Sequence, residues 1–193
     1  MAVDFDGMTR CLDQAEEGAL VMLHACSHNP TGFDLTQDQW RILMELCQRK
    51  NLLPYFDMAY QGFATGDLSR DNWAVRLFAD NGVPFMCGTS FAKNMGLYGT
   101  RTGTLSVVCD SKGEATNVES QLNKVARNTW SSPPLHGGKI AEIVLSNPEI
   151  RTAWDQDLLT MSGRIREMRE LFVQKLADAG NYFLFLKLNR QPT

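Results

Sequence analysis

The first half of the chain alternates between short apolar runs and amphipathic stretches. Residues 19–25 are apolar at nearly every position, a pattern typical of a strand covered on both faces. Similar short runs occupy residues 52–56 and 84–88. After Thr36 and again after Asn72, apolar residues recur every three or four positions, which predicts a helix at each place. The order strand, helix, strand, helix, strand predicts right-handed crossovers and therefore a parallel sheet.

Polar residues mark the ends of these helices. Thr36 followed by Gln39 forms a capping box at the start of the first helix. The second helix is expected to end at Asn81 and Gly82, because glycine readily adopts the left-handed conformation that closes a helix.

The second half of the chain is predicted to contain one more strand followed by helices. Residues 102–109 form that strand, and Asn147 followed by proline starts a helix with about thirty residues of helical apolar spacing. Such a helix is roughly 45 Å long, which exceeds what one small domain needs. The chain therefore divides into a sheet domain, residues 1–147, an interdomain helix, residues 148–180, and a short tail, residues 181–193.

The composition excludes several classes of partner. With 193 residues, 44% of them hydrophobic, the chain can bury a core of its own. A net charge of -3 without basic runs argues against nucleic acid and anionic membranes as partners, and no apolar run approaches the roughly 20 residues that span a bilayer. The acidic first residues favour neither a secretory signal nor an arginine-rich transit peptide. The five cysteines lie mostly in apolar segments, which predicts buried thiols in a reducing compartment.

Three polar segments follow the three predicted strands of the first half. They are residues 28–32, 57–60 and 90–93. Because ligands of open α/β sheets bind outside the carboxyl ends of the strands, we expect these segments to meet at one edge of the sheet. The sequence therefore predicts a binding site at that edge.

Lys93 is the centre of this predicted site. The hydroxyl of Ser90 and the guanidinium of Arg101 flank it, which suits a bound phosphate whose aldehyde Lys93 would hold as a Schiff base. Such a cofactor, pyridoxal phosphate, also needs a carboxylate at its ring nitrogen and hydrogen-bond donors at its ring oxygen. Candidates for these two needs are Asp57 for the carboxylate, and Tyr60 and Asn29 for the donors.

Each of these residues also has an ordinary structural explanation. Lys93 and Arg101 are compatible with solvated surface charges. Asp57 is compatible with a turn or helix cap, and Asn29 before proline with a turn initiator. Tyr60 is compatible with a half-buried core aromatic. Their joint placement at one edge of the sheet favours the site.

Two other chemistries are less well supported. His24 and His28 have the spacing of two metal ligands on a helix, but the proline at position 30 disfavours a helix there and no third ligand lies nearby, so no metal site is expected. Ser90 and Lys93 have the spacing of a serine–lysine hydrolase pair. The other motifs of such enzymes are absent from the sequence, and Asp57 would have no role.

Three strings carry a resemblance to a known family. They are HNPTG at residues 28–32, FDMAYQGFATGDL at residues 56–68 and SFAKNMGLYGTRTG at residues 90–103. Together they resemble the aspartate aminotransferase group of the fold-type I pyridoxal phosphate enzymes. The resemblance implies an α/β fold: a partial large-domain sheet, mostly parallel with helices on both faces, followed by the long interdomain helix. It also implies that residues 1–147 are part of the cofactor-binding domain and that residues 181–193 are a remnant of the small domain or a divergent tail.

The resemblance also implies roles for the site residues. Lys93, with Tyr60 beside it, would be catalytic and would move a proton between the substrate α-carbon and C4′ of the cofactor. Asn29 would contact the substrate α-carboxylate as well as the cofactor, and the Asn29–Pro30 peptide bond would be cis. Arg127 would reach across a homodimer interface to the distal carboxylate of aspartate or glutamate, which a guanidinium fork suits. The second substrate would be a 2-oxo acid, oxaloacetate or 2-oxoglutarate, and the location the cytoplasm or the mitochondrial matrix.

The chain also departs from that family. Complete members are about twice as long. This chain has no counterpart of their upstream phosphate-cradling loop, ring-stacking tryptophan and partner-subunit tyrosine, or of their downstream arginine for the α-carboxylate. Thr100 stands where the family usually has glutamate, and Ser132 where it usually has asparagine. The alternative is a truncated, weakly active or inactive fragment that acts at most as a dimerisation module.

Overall fold

The polypeptide follows the predicted order of strands and helices. The structure is a computed structural model that describes residues 3–180. Within that range the elements are α1 Phe5–Asp13, β1 Leu20–Leu23, α2 Gln37–Arg49, β2 Leu53–Met58, α3 Leu68–Asp71, α4 Trp73–Asp80, β3 Phe85–Ser90, β4 Gly103–Val108, α5 Lys112–Thr129, α6 Leu135–Ser146 and α7 Pro148–Asp178. The predicted tail, residues 181–193, lies outside the described residues.

The four strands form one sheet in the order β1-β2-β3-β4. β1, β2 and β3 run parallel to one another, and β4 runs antiparallel to β3. The predicted α/β fold, with a mostly parallel sheet and a long helix after it, is therefore confirmed. Strands β2 and β3 end two residues beyond their predicted apolar runs because pairing continues there, whereas β1 and β4 are shorter than predicted. Asp57 pairs with Gly88, and Ser90 with Gly103, so both site residues lie within strands.

The main core lies between one face of the sheet and helices α2 and α4. Phe56 of β2 is fully buried and makes edge-to-face contacts with Phe78 of α4 and Phe85 of β3, at ring-centroid distances of 5.1 and 5.4 Å. Trp40 of α2 contacts Phe78 edge-on at 6.4 Å. Edge-to-face pairs of this kind add to the stabilisation that burial of apolar area provides. This core fixes β2 and β3, the strands that carry Asp57 and Ser90.

The prediction that the first strand is covered on both faces is wrong for the described part of the chain. In β1, Val21 and Leu23 point into the core, whereas Leu20 and Met22 are 55% and 68% exposed. Successive side chains of a strand point to opposite faces, so one face of β1 faces the core and the other faces solvent. A continuous apolar run does not reveal by itself which face has a partner within the chain.

Helix ends follow the predicted capping chemistry. The Thr36 hydroxyl accepts from Gln39 N at 3.2 Å, and the Gln39 side chain accepts from Thr36 N at 2.9 Å, which confirms the capping box. At the start of α7, the Asn147 side chain accepts from the backbone N–H groups of Glu149 and Ile150. Helix α1, which the sequence analysis does not predict, is capped by Asp4.

Among residues 3–180, no helix combines the length and the apolar character needed to cross a bilayer.

Candidate functional site

A cleft of about 490 Å³ opens beyond the carboxyl ends of β1, β2 and β3. Its walls come from the loops after these strands and from α7. This is where an open parallel sheet is expected to bind ligands. The α7 wall consists of Ile165, Arg166 and Arg169.

Three of the six predicted cofactor residues line this cleft. They are Asn29 after β1, Tyr60 after β2 and Lys93 after β3. The Lys93 Nζ lies 4.6 Å from the centre of the Tyr60 ring, within the range of a cation–π contact. The structure therefore brings one residue from each of the three strand ends to the same cleft.

The other three predicted residues lie at the same end of the sheet but outside the lining of this cleft. The Asp57 side chain is 43% exposed. The Ser90 hydroxyl accepts from Ala92 N at 3.2 Å. Arg101 is exposed, has a φ of 53°, and donates from its guanidinium to the Tyr98 carbonyl at 3.2 Å. Tyr98 itself lines the cleft, so Arg101 lies at its margin.

His24 joins two of these groups, which the sequence analysis did not predict. Its Nδ1 accepts from Asn29 N at 3.1 Å, so the ring proton sits on Nε2 when the ring is neutral. That Nε2 lies 3.8 Å from Asp57 Oδ2. The contact follows from the sheet register: Leu23 pairs with Phe56, so His24, directly after β1, lies beside Asp57 of β2.

The loop that carries Asn29 is tied down by a carboxylate. Asp34 accepts from Ser27 N at 2.7 Å and from His28 N at 2.8 Å. The Asn29–Pro30 peptide bond is cis, as the resemblance implied. Asp34 thus holds the start of the loop in place.

The two histidines considered as metal ligands make other contacts. Their rings are 4.9 Å apart, and His28 Nδ1 lies 2.7 Å from the Thr31 hydroxyl. In the part of the chain that the structure describes, no group of three or more His, Cys, Asp or Glu side chains is placed to hold a metal ion.

The loop that follows Tyr60 is held by a second carboxylate. Asp71 is 3% exposed and accepts from the backbone N–H groups of Gly62, Ala64 and Thr65, at 2.7, 3.1 and 3.1 Å, and from the Thr65 hydroxyl at 2.7 Å. Three donors from the main chain and one hydroxyl satisfy the oxygens of this buried carboxyl group. The sequence analysis did not identify Asp71, because its partners are defined only by the folded loop.

Arg127 lies away from this cleft. It is exposed on α5 and donates to the Ser131 hydroxyl at 2.6 Å. The structure therefore does not bring Arg127 together with Lys93 within one chain.

Comparison with known proteins decides the family. Residues 1–189 match the family described as aminotransferase class I and II. The chain belongs to the class I and II aminotransferases.

Curated relatives of this aminotransferase-family chain support the resemblance found in its motifs. The mitochondrial aspartate aminotransferase of Gallus gallus is 44% identical over 93% of this chain and 43% of its own length. The cytoplasmic aspartate aminotransferase of Oryza sativa subsp. japonica is 48% identical over 92% of this chain and 42% of its own length. The chain thus spans less than half the length of these relatives.

A solved structure gives the same result for the fold. The aromatic-amino-acid aminotransferase from Burkholderia pseudomallei, covalently bound to pyridoxal phosphate, superimposes with a TM-score of 0.94. It is 46% identical, and the match covers 98% of this chain and 47% of that protein.

Proposed function

We propose that this class I and II aminotransferase chain carries the cofactor-holding part of an aspartate-type site. The reaction would transfer an amino group between L-aspartate or glutamate and a 2-oxo acid, 2-oxoglutarate or oxaloacetate. The observation that carries the proposal is the convergence of Lys93, Tyr60 and Asn29 in one cleft at the strand ends.

The side chains present fit pyridoxal phosphate, which the Burkholderia pseudomallei relative binds covalently. The fit rests on the donor set at this end of the sheet: an amine, a phenol, an amide, a carboxylate, a hydroxyl and a guanidinium. Lys93 would hold the aldehyde carbon through Nζ. The remaining contacts would be Asp57 to the ring nitrogen, Tyr60 and Asn29 to the ring oxygen, and Ser90 and Arg101 to the phosphate.

The chemistry follows from these placements. When bound, the cofactor withdraws electrons from the substrate α-carbon. Lys93 Nζ, freed when the substrate amine replaces it at the aldehyde carbon, would take the proton from the substrate α-carbon and deliver it to C4′ of the cofactor. Tyr60 supports this step because its ring lies beside the lysine amine. His24 Nε2 lies 3.8 Å from Asp57 Oδ2, so the imidazole would act on that carboxylate electrostatically rather than through a direct hydrogen bond.

Arg127 gives the proposal its substrate preference and its oligomeric state. The family resemblance implies that it serves the site of a second copy and binds a distal carboxylate there, and its place outside the cleft of its own chain is compatible with that role. Mixing the variants Lys93→Ala and Arg127→Ala tests this arrangement. A hybrid dimer would contain one intact site, so we expect activity to return on mixing. Continued inactivity of the mixture would show that Arg127 does not serve a neighbouring site.

The proposed cofactor link can be tested directly. The purified chain is incubated with pyridoxal phosphate and reduced with borohydride, and the adduct is located by peptide mass mapping. We expect selective labelling of Lys93, loss of that label in Lys93→Ala, and an unchanged label in the control Lys139→Ala, which alters an exposed lysine on α6. Absence of a selective Lys93 adduct in the wild-type chain would refute the cofactor proposal.

A weakly active or inactive fragment is the second candidate. It applies if these residues act alone, since they match less than half the length of each relative. Loss of several charged hydrogen bonds, each worth roughly 1.5 to 3 kcal/mol, would weaken cofactor and substrate binding by many decades. Turnover of aspartate that Lys93→Ala abolishes would support the enzyme. Cofactor capture without turnover would support the fragment.

The amino-acid preference needs its own assay, because the Burkholderia pseudomallei relative is named for aromatic amino acids. We expect faster transamination of aspartate than of phenylalanine. We also expect Arg127→Ala to lower the aspartate rate much more than the phenylalanine rate, since only aspartate carries a distal carboxylate.

We propose the cytoplasm as the location, with the mitochondrial matrix as the alternative, since both locations occur among the names of the relatives. Cell fractionation with an antibody against the chain distinguishes them.

A further inference from the structure

Asn94, the residue directly after Lys93, joins three parts of the molecule. Its backbone carbonyl accepts a 2.7 Å hydrogen bond from the indole Nε1–H of Trp154 on α7. Its side-chain Nδ2 donates a 3.2 Å hydrogen bond to the carbonyl of Gln61, the residue directly after Tyr60. Asn94 is 2% exposed and both bonds are partly buried, so the loss of either would leave a polar group of Asn94 shielded from water without its partner.

Helix α7 packs closely against the loop that takes part in this junction. Leu158 and Ser162 on α7 are fully buried. A Cβ atom at Gly62 would lie 3.0 Å from Leu158 Cδ1, and one at Gly66 would lie 2.7 Å from Ser162 Oγ. Both glycines also have positive φ, so glycine alone allows the loop backbone to approach the helix this closely. The helix and the loop after Tyr60 are therefore packed as one unit.

We propose that Trp154 is a positioning residue for Lys93 and that it acts through the backbone carbonyl of Asn94. Lysine has a long, flexible side chain, so the place of its amine depends on how its backbone is held. The indole fixes the carbonyl of the next residue, and the Asn94 side chain fixes the same segment to the loop of Tyr60. This arrangement keeps Lys93 Nζ over the Tyr60 ring.

The inference deepens the proposed function, because it rests on Lys93 being the amine that holds the cofactor. It is distinct from a general packing role of the indole. If Trp154 only packed, its loss would loosen the whole chain and alter the reactivity of all lysines together. If it positions Lys93, the change is confined to that lysine.

The test compares variants that differ in the indole N–H. Trp154→benzothienylalanine keeps the shape of the side chain and replaces the N–H with sulfur, whereas Trp154→Phe removes both the donor and part of the ring. The matched control is Trp73→Phe on α4, whose ring lies 5.2 Å from the Arg41 guanidinium carbon. Circular dichroism and thermal unfolding of each variant report its fold.

Two labelling reactions are then compared within each sample. In brief acetylation with acetic anhydride, we expect labelling of Lys93 in both Trp154 variants to rise about twofold or more relative to Lys50 and Lys139, because the amine is released toward solvent. In trapping with pyridoxal phosphate and borohydride below saturation, we expect the Lys93 adduct to fall about two- to twelvefold, the loss that corresponds to one hydrogen bond. We expect Trp73→Phe to change neither.

Unchanged Lys93 acetylation in the benzothienylalanine variant would overturn the inference, as would an equal rise at all three lysines. If the wild-type chain captures no pyridoxal phosphate, the proposed function fails while the acetylation comparison still decides the role of Trp154. If Trp154→Phe unfolds, the isosteric variant decides it.

Discussion

Asp71 shows how a single residue shapes the loop beside the cleft. Its carboxylate accepts hydrogen bonds from three backbone N–H groups and one hydroxyl between Gly62 and Thr65. Asp34 does the same with two N–H groups of the loop before Asn29. Both loops turn tightly at the ends of strands, where the main chain has no ladder partner. Each carboxylate therefore replaces the hydrogen bonds that a strand would have provided.

Replacing Asp71 with alanine removes all four acceptor contacts. We expect Asp71→Ala to lower the free energy of unfolding by about 2 to 4 kcal/mol, since the donors of the loop lose their buried partner. Urea unfolding followed by circular dichroism measures this change. Asp38→Ala, which alters a carboxylate in an exposed pair on α2, serves as the control and should change it by less than about 0.5 kcal/mol. Equal effects of the two substitutions would contradict the role given to Asp71.

The sequence predicted the site residues that follow the strands closely along the chain. Asn29, Tyr60 and Lys93 follow their strands closely, so their meeting in one cleft depends only on parallel pairing. His24, Asp34 and Asp71 were not predicted, because each acts on a partner fixed by register or by loop conformation. Their roles in orientation have no local pattern in the sequence.

Among the elements, α7 depends on its first turn. The Asn147 side chain caps the N–H groups of Glu149 and Ile150, at 3.0 and 3.2 Å. We expect Asn147→Ala to lower the free energy of unfolding by about 1 kcal/mol, because two N–H groups at the helix start lose their acceptor. Urea unfolding measures the loss.

Asn72 is the matched control for this cap. It precedes α4 at the same position but makes no capping hydrogen bond among the described residues, and its Oδ1 is buried without a partner there. Asn72→Ala should therefore cost less than Asn147→Ala. A greater cost for Asn72→Ala would contradict the assignment of the α7 cap.

The buried thiol of Cys47 on α2 makes the free energy of unfolding depend on pH in the alkaline range. Burial raises the pKa of its thiol from the ordinary value of 9.0 to about 11. Between these values the unfolded chain releases the proton while the folded chain keeps it, so the free energy of unfolding falls as pH rises. Two pKa units correspond to about 2 to 3 kcal/mol.

The variant Cys47→Ala isolates this contribution. At pH 8 it should be less stable than the wild type, because it leaves a small cavity in the core. The difference between the two proteins should shrink by roughly 2 kcal/mol between pH 8 and pH 11, since only the wild type has this thiol to ionise. Urea unfolding across this range measures the difference. A difference that stays constant with pH would contradict the raised pKa.

Helix starts were predicted correctly where the spacing of apolar residues and the capping residues indicated the same position. The capping box of α2 and the start of α7 are visible in four or fewer consecutive residues, so the sequence defines them locally. The solvent-facing side of β1 was not predictable in the same way. Leu20 and Met22 are apolar like their neighbours, and their exposure depends on what else packs against the sheet.

At the scale of the whole molecule, the open side of the sheet is an apolar surface. Leu20 and Met22 of β1 and Leu105 of β4 are exposed, and among residues 3–180 no strand pairs with the outer edges of β1 and β4. Apolar faces and unpaired edges of this kind favour association.

A charge on this face should reduce association. In sedimentation velocity, we expect the average mass of the wild-type chain to rise with concentration and that of Met22→Lys to rise less. Ile42→Lys, the same kind of change at a half-exposed position on α2, is the control and should behave like the wild type. An unaltered concentration dependence in Met22→Lys would show that this face does not contribute.

The bond between Trp154 and Asn94 spans 60 residues of sequence. A ribosome delivers the chain from its amino end, so β1 to β4 can pair before the helix that carries the indole has been made. The segment around Lys93 would then reach its final position only after most of the described chain has been synthesised. During synthesis the sheet would therefore form first, and the Lys93 amine would reach its final position later.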